Sequence, residues 1–188
     1  MAKKLPKIIN QDEFEKLFSY VRGLRDKSKS NKLKNKYNQR MIAMILGFEA
    51  GMRISEIVGY QAEDGSWRIQ PLSKQQVEVA SIRIISGKGE KDRIVPRPKR
   101  ITEKQIRELP LNIHRRALQN FITKIGKEVL DKHITFHTLR HGFGSHLAGE
   151  GRPLHEIQML MGHSRLDTTG IYLHANPKQA LEGARDVF

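Results

Sequence analysis

Apolar residues recur along most of the chain at intervals of three and four, which places them on one face of an α-helix. This pattern predicts helices at residues 10–24, 38–50, 113–130, 137–149, 153–161 and 166–174. Asn10 is the predicted N-cap of the first helix. In the helix at 38–50, apolar side chains lie nearly all round the axis, which predicts a central, buried helix. Gly51 is suited to end that helix in a left-handed conformation, and a short helix is predicted to start near Arg53.

Between these helical regions the pattern changes to short runs rich in β-branched residues. Val77, Val79, Ile82 and Ile84 precede the glycine-rich segment 87–91, and Ile94 and Val95 follow it. This order predicts an antiparallel hairpin with a glycine-rich tip, ended by Pro96 and Pro98. Helices, a small antiparallel sheet and further helices in that order predict an α+β fold that is mainly α.

Two polar segments, residues 26–36 and 61–71, are predicted to be loops. Residues 26–36 are rich in lysine, and both a solvated loop and a contact with phosphate groups are consistent with them.

The net charge of the chain narrows the classes of molecule that it is expected to bind. The chain has 188 residues, enough for one domain, and its net charge is +14, from 34 Lys and Arg against 20 Asp and Glu. A chain this basic usually meets polyanions, nucleic acid first and an anionic membrane second. There is no cysteine, which excludes disulfides and thiolate zinc sites, and no long apolar run that would span a membrane. We expect a protein of the cytoplasm or the nucleoid.

The C-terminal half contains a histidine and an arginine spaced to act together. His137 and Arg140 are three residues apart, so they point the same way on a helix, whereas Leu139 should face the core. An arginine fork matches two phosphate oxygens, and a second arginine would stabilise the added charge of a pentacoordinate transition state. Taken singly, Arg53 could instead form a salt bridge with Glu56, and His137 could be a helix cap.

A metal site at the same place is not predicted. His137 and His141 have the spacing found in helical zinc sites, but Thr138 stands where the H-E-x-x-H motif requires glutamate. We therefore expect no metal and no cofactor.

Four short segments in order resemble the catalytic domain of the tyrosine recombinases, the integrase family of DNA strand-exchange enzymes. They are Gly51-Met-Arg53-Ile-Ser-Glu56, Gly87-Lys88-Gly89-Glu-Lys91-Asp-Arg93-Ile-Val-Pro96, His137-Thr-Leu-Arg140-His141, and Leu160-Met-Gly162-His163 with Thr168-Thr169-x-x-Tyr172. Any one of them is a weak signal, but the ordered set over about 140 residues is specific. The resemblance implies the family fold and an enzyme that cleaves and rejoins duplex DNA through a 3′-phosphotyrosine link.

The resemblance also implies a role for each site residue. Tyr172 is the expected nucleophile, His137 its base, and Lys88 the acid that protonates the leaving 5′ oxygen, with Lys91 as the rival in the same loop. The nonbridging oxygens are expected to be held by Arg53, Arg140 and His163. Glu56 is expected to orient Arg53. The other basic residues that the resemblance marks in these segments, Lys91, Arg93 and His141, are expected to contact DNA.

We expect residues 1–188 to form one catalytic domain without the N-terminal core-binding domain that most family members carry. The tail, residues 175–188, has an apolar set, and the resemblance implies that it docks on a neighbouring protomer, with docking on its own chain as the alternative. A homo-oligomer on double-stranded DNA is the expected assembly. Two alternatives remain: a type IB topoisomerase-like enzyme that relaxes DNA by the same chemistry, and a non-catalytic DNA-binding module of the same fold.

Overall fold

The computed structural model describes residues 8–85 and 92–162, which are mainly helical with short antiparallel strands. The helices are α1 (Gln11–Lys27), α2 (Asn31–Glu49), α3 (Ile54–Val58), α4 (Glu103–Ile106), α5 (Arg115–Leu130), α6 (Phe136–Gly149) and α7 (Leu154–Met161). The strands are β1 (Tyr60–Gln61), β2 (Trp67–Ile69), β3 (Ser81–Ile84) and β4 (Arg93–Pro96). This arrangement confirms the predicted fold class, an α+β fold that is mainly α.

Helix α2 is the centre of the core, as its apolar pattern predicts. It packs against α1 on one side and α6 on the other, and every residue from 41 to 48 is buried. Phe14 of α1 stacks on Phe48 of α2 with ring centroids 4.2 Å apart. Burial of apolar surface on both sides of α2 is the main force that holds the helical layers together.

The strands form two separate antiparallel hairpins. In the larger one, β3 pairs with β4 in the register Ser81↔Pro96 to Ile84↔Arg93, so the predicted hairpin is confirmed. Successive residues of a strand point to opposite faces, and on β4 it is Arg93 and Val95 that face inward. The predicted glycine-rich tip lies outside the described residues.

Both predictions about the polar segments are wrong. Residues 26–36 are mostly helical, because α1 continues to Lys27 and α2 begins at Asn31. The first turns of α2 lie in solvent, so they have no apolar face for the pattern to reveal. Residues 61–71 are not simply a loop, because β1 pairs with β2 there. Strands of two and three residues are too short to show an alternating pattern.

Strand β3 is also shorter than predicted. Val79 is 93% exposed in a turn closed by a hydrogen bond from the Glu78 N–H to the Ser81 carbonyl, and Val77 makes only an isolated bridge with Ile82. Helix α4 was not predicted. The predicted helix at 166–174 lies outside the described residues.

The helix predicted at 38–50 is confirmed at its end but begins earlier, at Asn31, and the other helical predictions within the described residues are confirmed to within three residues at each end. Asn10 caps α1, because its side chain accepts a hydrogen bond from the Glu13 N–H at 2.9 Å. In the reverse direction, the Glu13 carboxylate accepts a hydrogen bond from the Asn10 N–H. Within residues 8–85 and 92–162, no helix is both long enough and apolar enough to cross a membrane.

The turn at Gly51 joins α2 to α3 and therefore sets where Arg53 lies. Gly51 has a φ of +62°, in the left-handed region, and a Cβ at this position would lie 2.4 Å from Cδ1 of Phe143. Only glycine satisfies both the backbone and the close approach of α6 without strain.

We expect Gly51→Ala to lower the free energy of unfolding by roughly 2–4 kcal/mol, the sum of the left-handed backbone cost and of overpacking against Phe143. Urea denaturation measures it. Gly65→Ala is the matched control, because Gly65 also has a positive φ, +82°, but nothing lies within 4 Å of a Cβ there. Gly65→Ala should show only the backbone cost, about 1–2 kcal/mol. Equal losses in the two variants would contradict the steric part of this account.

Candidate active site

Arg53 stands at the start of α3, held by a glutamate one turn further on. Its backbone N–H donates to Oε2 of Glu56 at 2.7 Å, and its Nη1 donates to Oε1 of the same carboxylate at 3.0 Å. Glu56 thus caps its own helix and fixes the direction of the Arg53 guanidinium. The salt bridge with Glu56, which the sequence offered as an alternative role for Arg53, is present. Arg53 nevertheless also lines the cleft described below.

Helix α6 brings His137 and Arg140 to the same place. Thr135 is the N-cap of this helix, since its side chain accepts from the Thr138 N–H at 3.1 Å, and His137 is therefore not the cap. His137 and Arg140 face the same cleft, whereas Leu139 is completely buried in the core. The sequence prediction for the directions of these three side chains is confirmed.

Arg140 is only 2% exposed, and its guanidinium joins three parts of the fold. Nη1 donates to the carbonyl of Gly51 at 2.6 Å, and Nη2 donates to the carbonyl of Met161 at the end of α7. The end of α2, the middle of α6 and the end of α7 are therefore joined by one side chain. An arginine fixed in this way offers its donors at a defined position before any ligand arrives.

The three residues meet in an open cleft of about 910 Å³. Its described lining is Arg53, Ile54, Ser55, Gln119, Asn120, Thr123, Lys124, His133, Thr135, Phe136, His137 and Arg140. This lining contains two arginines and a lysine but no acidic side chain. Clefts lined by charge of one sign concentrate ions of the opposite sign, so this one is suited to a polyanion.

Two histidines of α6, His137 and His141, are held neutral by their surroundings. Burial lowers the pKa of His137, and the nearby charges of Arg140 and Arg53 lower it further. Burial, then His137 and Arg140, lower the pKa of His141 to about 4. The two imidazole rings meet edge to face, with centroids 4.2 Å apart. A neutral imidazole among guanidinium groups can accept a proton near neutral pH.

Lowering the pH from about 7 to about 5 should reduce the free energy of unfolding by on the order of 1–2 kcal/mol through His141. Burial is the largest cause that lowers the pKa of His141 to about 4 in the folded state, against an ordinary value of 6.5. Between these values the unfolded chain binds more protons, so stability is lost as the pH falls through that window. Urea denaturation at each pH measures the effect.

His141→Gln should remove the part of this pH dependence that comes from His141 and leave the part that comes from His137, whose pKa is also lowered. His146→Gln, at an exposed position of the same helix, is the matched control and should leave it unchanged. If His141→Gln denatures with the same pH dependence as the unaltered protein, other groups cause it.

The expected role of Arg93 is corrected by the structure. Arg93 was expected to contact DNA, but its side chain points into the protein and the residue is 7% exposed. Its Nη1 and Nη2 donate to the two carboxylate oxygens of Glu56, at 2.7 and 2.8 Å, and its Nε donates to the carbonyl of Leu160 at 2.9 Å. The alternation along β4, in which Arg93 shares a face with Val95, was the sequence signal for this inward direction.

Of the remaining candidates, His141 is half-buried behind His137, and its DNA contact stays a prediction. Lys88, Lys91, His163 and Tyr172 lie outside the described residues. In the part of the chain that the structure describes, no three His, Cys, Asp or Glu side chains are grouped as metal ligands.

The polar face of α5 is the part of the cleft that the sequence analysis missed. Gln119, Asn120, Thr123 and Lys124 line one wall. They recur at intervals of three and four, but the helix was recognised only by its apolar face. The signal was therefore present, as a polar stripe beside a buried one.

Comparisons with known proteins agree with this geometry. A sequence profile of the Phage integrase family matches residues 106–179. The tyrosine recombinase XerD of Staphylococcus aureus strain Mu50 is 31% identical over 199 residues, covering 94% of this chain and 61% of that protein. The chain thus spans about three fifths of the length of this curated relative.

Solved structures agree as well. The XerH site-specific recombinase bound to its difH substrate, in a pre-cleavage complex, superposes with a TM-score of 0.63 at 25% identity, covering 98% of this chain and 55% of that one. The catalytic domain of bacteriophage HP1 integrase superposes with a TM-score of 0.60 at 21% identity, covering 95% of this chain and 93% of that domain, which shows a common fold. In sequence and in fold, the chain belongs to the phage integrase family, the tyrosine recombinases.

Proposed function

We propose that this chain cuts and rejoins the strands of duplex DNA through a covalent link to Tyr172. The observation that carries the proposal is the cleft whose described lining has no acidic side chain and where Arg53, His137 and Arg140 converge from two distant segments of the chain. The names of the relatives support it, since one is a tyrosine recombinase and another is a site-specific recombinase bound to its DNA substrate.

The proposed reaction exchanges one phosphodiester bond for another. The Tyr172 oxygen attacks the scissile phosphorus, forming a 3′-phosphotyrosine bond as the bond to the 5′ oxygen breaks. His137 accepts the phenolic proton, and Lys88 donates a proton to the departing 5′ oxygen. The same steps in reverse, with a 5′-hydroxyl as the attacking group, rejoin the strand, so no ATP is required.

The charge of the transition state would be met by guanidinium groups. Arg53, Arg140 and His163 are proposed to hold the nonbridging oxygens. Because a phenol has an ordinary pKa of about 10, it needs both a base and positive potential nearby. The lowered pKa of His137 keeps its imidazole neutral near pH 7, as a general base requires.

We further propose the following organisation on DNA. Residues 1–188 act as one catalytic domain, and several copies assemble on one duplex. The tail, residues 175–188, packs on a neighbouring copy, because its apolar residues are too few to form a core of their own. The DNA is proposed to lie over the cleft, with Lys91 and His141 contributing contacts, and the protein is proposed to act in the cytoplasm or on the nucleoid.

The decisive experiment is to trap the covalent adduct with sodium dodecyl sulfate on a mixed library of duplexes and to sequence the attached DNA. We expect a covalent adduct joined through a 3′ phosphate, together with recombinant products. Relaxation of supercoiled plasmid with an adduct but without recombinant products would favour the topoisomerase-like alternative. DNA binding without any adduct, with a supplied partner domain or without one, would favour the non-catalytic DNA-binding module.

A further inference from the structure

Glu56 is shared between two arginines, only one of which reaches the cleft. Arg93 binds both of its carboxylate oxygens, at 2.7 and 2.8 Å, while Arg53 binds it through Nη1 and through its backbone N–H. Glu56 and Arg93 are each 7% exposed. The attraction of both arginines lowers the pKa of Glu56 although its burial alone would raise it, so the carboxylate stays ionised at neutral pH.

Arginines also hold the last turn of α7. The carbonyl of Leu160 accepts from Nε of Arg93 at 2.9 Å, that of Met161 accepts from Arg140, and that of Gly162 accepts from Nη2 of Arg53 at 3.5 Å. The final carbonyls of a helix have no partner within the helix and form the negative end of its dipole. Guanidinium groups therefore stabilise this turn, and they fix its position relative to α3, α6 and β4.

Arg93 is at the junction of these two sets of contacts. Its guanidinium contacts the Glu56 carboxylate on α3 and the Leu160 carbonyl on α7, and its own backbone belongs to β4. A Cβ on Gly162, which has a φ of +60°, would lie 2.8 Å from Cδ of Arg93, so Gly162 at the end of α7 packs directly against this side chain. Neither lysine nor methionine can make these contacts, because the fork requires several donors in one plane.

We propose that Arg93 is a positioning residue for strand cleavage. It fixes Arg53 through Glu56 and fixes the end of α7 through Leu160, without touching DNA. The expected effect of Arg93 on the rate of strand cleavage rests on the proposed function. The structural coupling between Arg93 and Arg53 can also be measured without DNA cleavage.

The kinetic test compares two DNA substrates that differ at the scissile phosphate. In a methylphosphonate, a methyl group replaces one nonbridging oxygen, so the transition state carries one negative charge fewer and depends less on Arg53. Arg93→Met should slow cleavage of ordinary DNA by roughly 10- to 100-fold, as when the partner of a site residue is removed. The loss on the methylphosphonate should be about threefold or less, and DNA affinity should change less than about twofold, because the charge to be stabilised is smaller and Arg93 is not at the DNA surface.

The comparison variants separate positioning from stability. Arg53→Ala should show the same difference between the two substrates. Arg93→Lys keeps the charge but not the fork, so it should fall between Arg93→Met and the unaltered protein. Arg100→Met is the matched control, because Arg100 also bridges two carboxylates, those of Glu15 and Glu49, at 2.6 and 2.8 Å. Arg100→Met should lower the stability of the protein, and any loss of cleavage rate that it causes should be equal on the two substrates.

The second measurement uses the guanidinium signals of ¹⁵N-labelled arginine, without DNA. In the unaltered protein we expect separate Nη signals for Arg53, because its guanidinium is held by Glu56. In Arg93→Met these signals should broaden or merge, whereas Arg100→Met should leave them as they are. The Glu56→Gln/Arg93→Met double variant, which removes the charge of the carboxylate that has lost its buried partner, keeps the comparison possible if Arg93→Met does not fold.

The outcomes are distinct for the two proposals. Equal losses on both substrates in Arg93→Met, or Arg53 signals that do not change, would overturn the positioning role. A large loss of DNA affinity in Arg93→Met would overturn it in favour of direct DNA contact. If the unaltered protein cleaves neither substrate, the proposed function fails, and the Arg53 signals still decide the coupling between Arg93 and Arg53.

Discussion

Replacing Tyr172 with phenylalanine should abolish the covalent protein–DNA adduct while leaving the fold and the DNA affinity intact. The hydroxyl oxygen is the only heavy atom removed, and it is the atom that the proposed reaction joins to phosphorus. A nucleophile that must reach DNA is more exposed than a core residue, so the free energy of unfolding should change by less than about 1 kcal/mol. The measurement is adduct formation on a nicked suicide substrate, from which a short fragment diffuses away and prevents religation.

Tyr60→Phe is the matched control for this prediction. Tyr60 lies on β1, and its ring packs against the guanidinium of Arg115 with 4.6 Å from Cζ to the ring centroid. Removing its hydroxyl should leave adduct formation unchanged. If Tyr172→Phe still forms the adduct while Tyr60→Phe does not, the nucleophile has been assigned to the wrong tyrosine.

Replacing Arg140 with alanine should cost both activity and stability. Cleavage should fall by at least about 10²- to 10³-fold, because a preorganised donor to the transition state is removed. The free energy of unfolding should fall by roughly 2–4 kcal/mol as well, because the carbonyls of Gly51 and Met161 lose their donor in a buried place. Adduct formation rates and urea denaturation measure the two effects separately.

Arg53→Ala is the informative comparison for Arg140→Ala. The Arg53 side chain is 30% exposed, and Glu56 keeps its buried partner Arg93 when Arg53 is removed. We therefore expect a similar loss of cleavage with a loss of stability of about 1 kcal/mol or less, as for other partly exposed ion pairs. Arg140→Ala with unchanged stability would contradict the role assigned to its contacts with Gly51 and Met161.

Periodicity predicted the parts of the fold in which burial repeats regularly. Helix α2 was expected to be central because its apolar residues surround the axis, and residues 41–48 are indeed all buried. The β3–β4 hairpin was expected from two β-branched runs around a glycine-rich segment. The prediction failed at residues 26–36 and 61–71, where the helical turns and the short strands are mostly exposed and no apolar pattern marks them.

The sequence by itself determined the chemical groups available at the candidate site and their local directions. The three-residue spacing of His137 and Arg140 placed both on one face of α6, because helical geometry depends only on neighbours along the chain. The basic composition, with a charge of +14, pointed to a polyanionic partner before any fold was known. The family resemblance added the roles of Lys88, His163 and Tyr172, which remain predictions.

Only the tertiary structure decided which arginines reach the cleft and which support it. Arg53 and Arg93 are both arginines of family-like segments, yet one lines the cleft and the other is buried behind Glu56. The difference arises because Glu56, Leu160 and Arg93 come from α3, α7 and β4, which are distant in sequence and meet only when the core forms. A buried carboxylate needs a partner fixed at short range, and which guanidinium takes that place depends on how these elements pack, which no local pattern records.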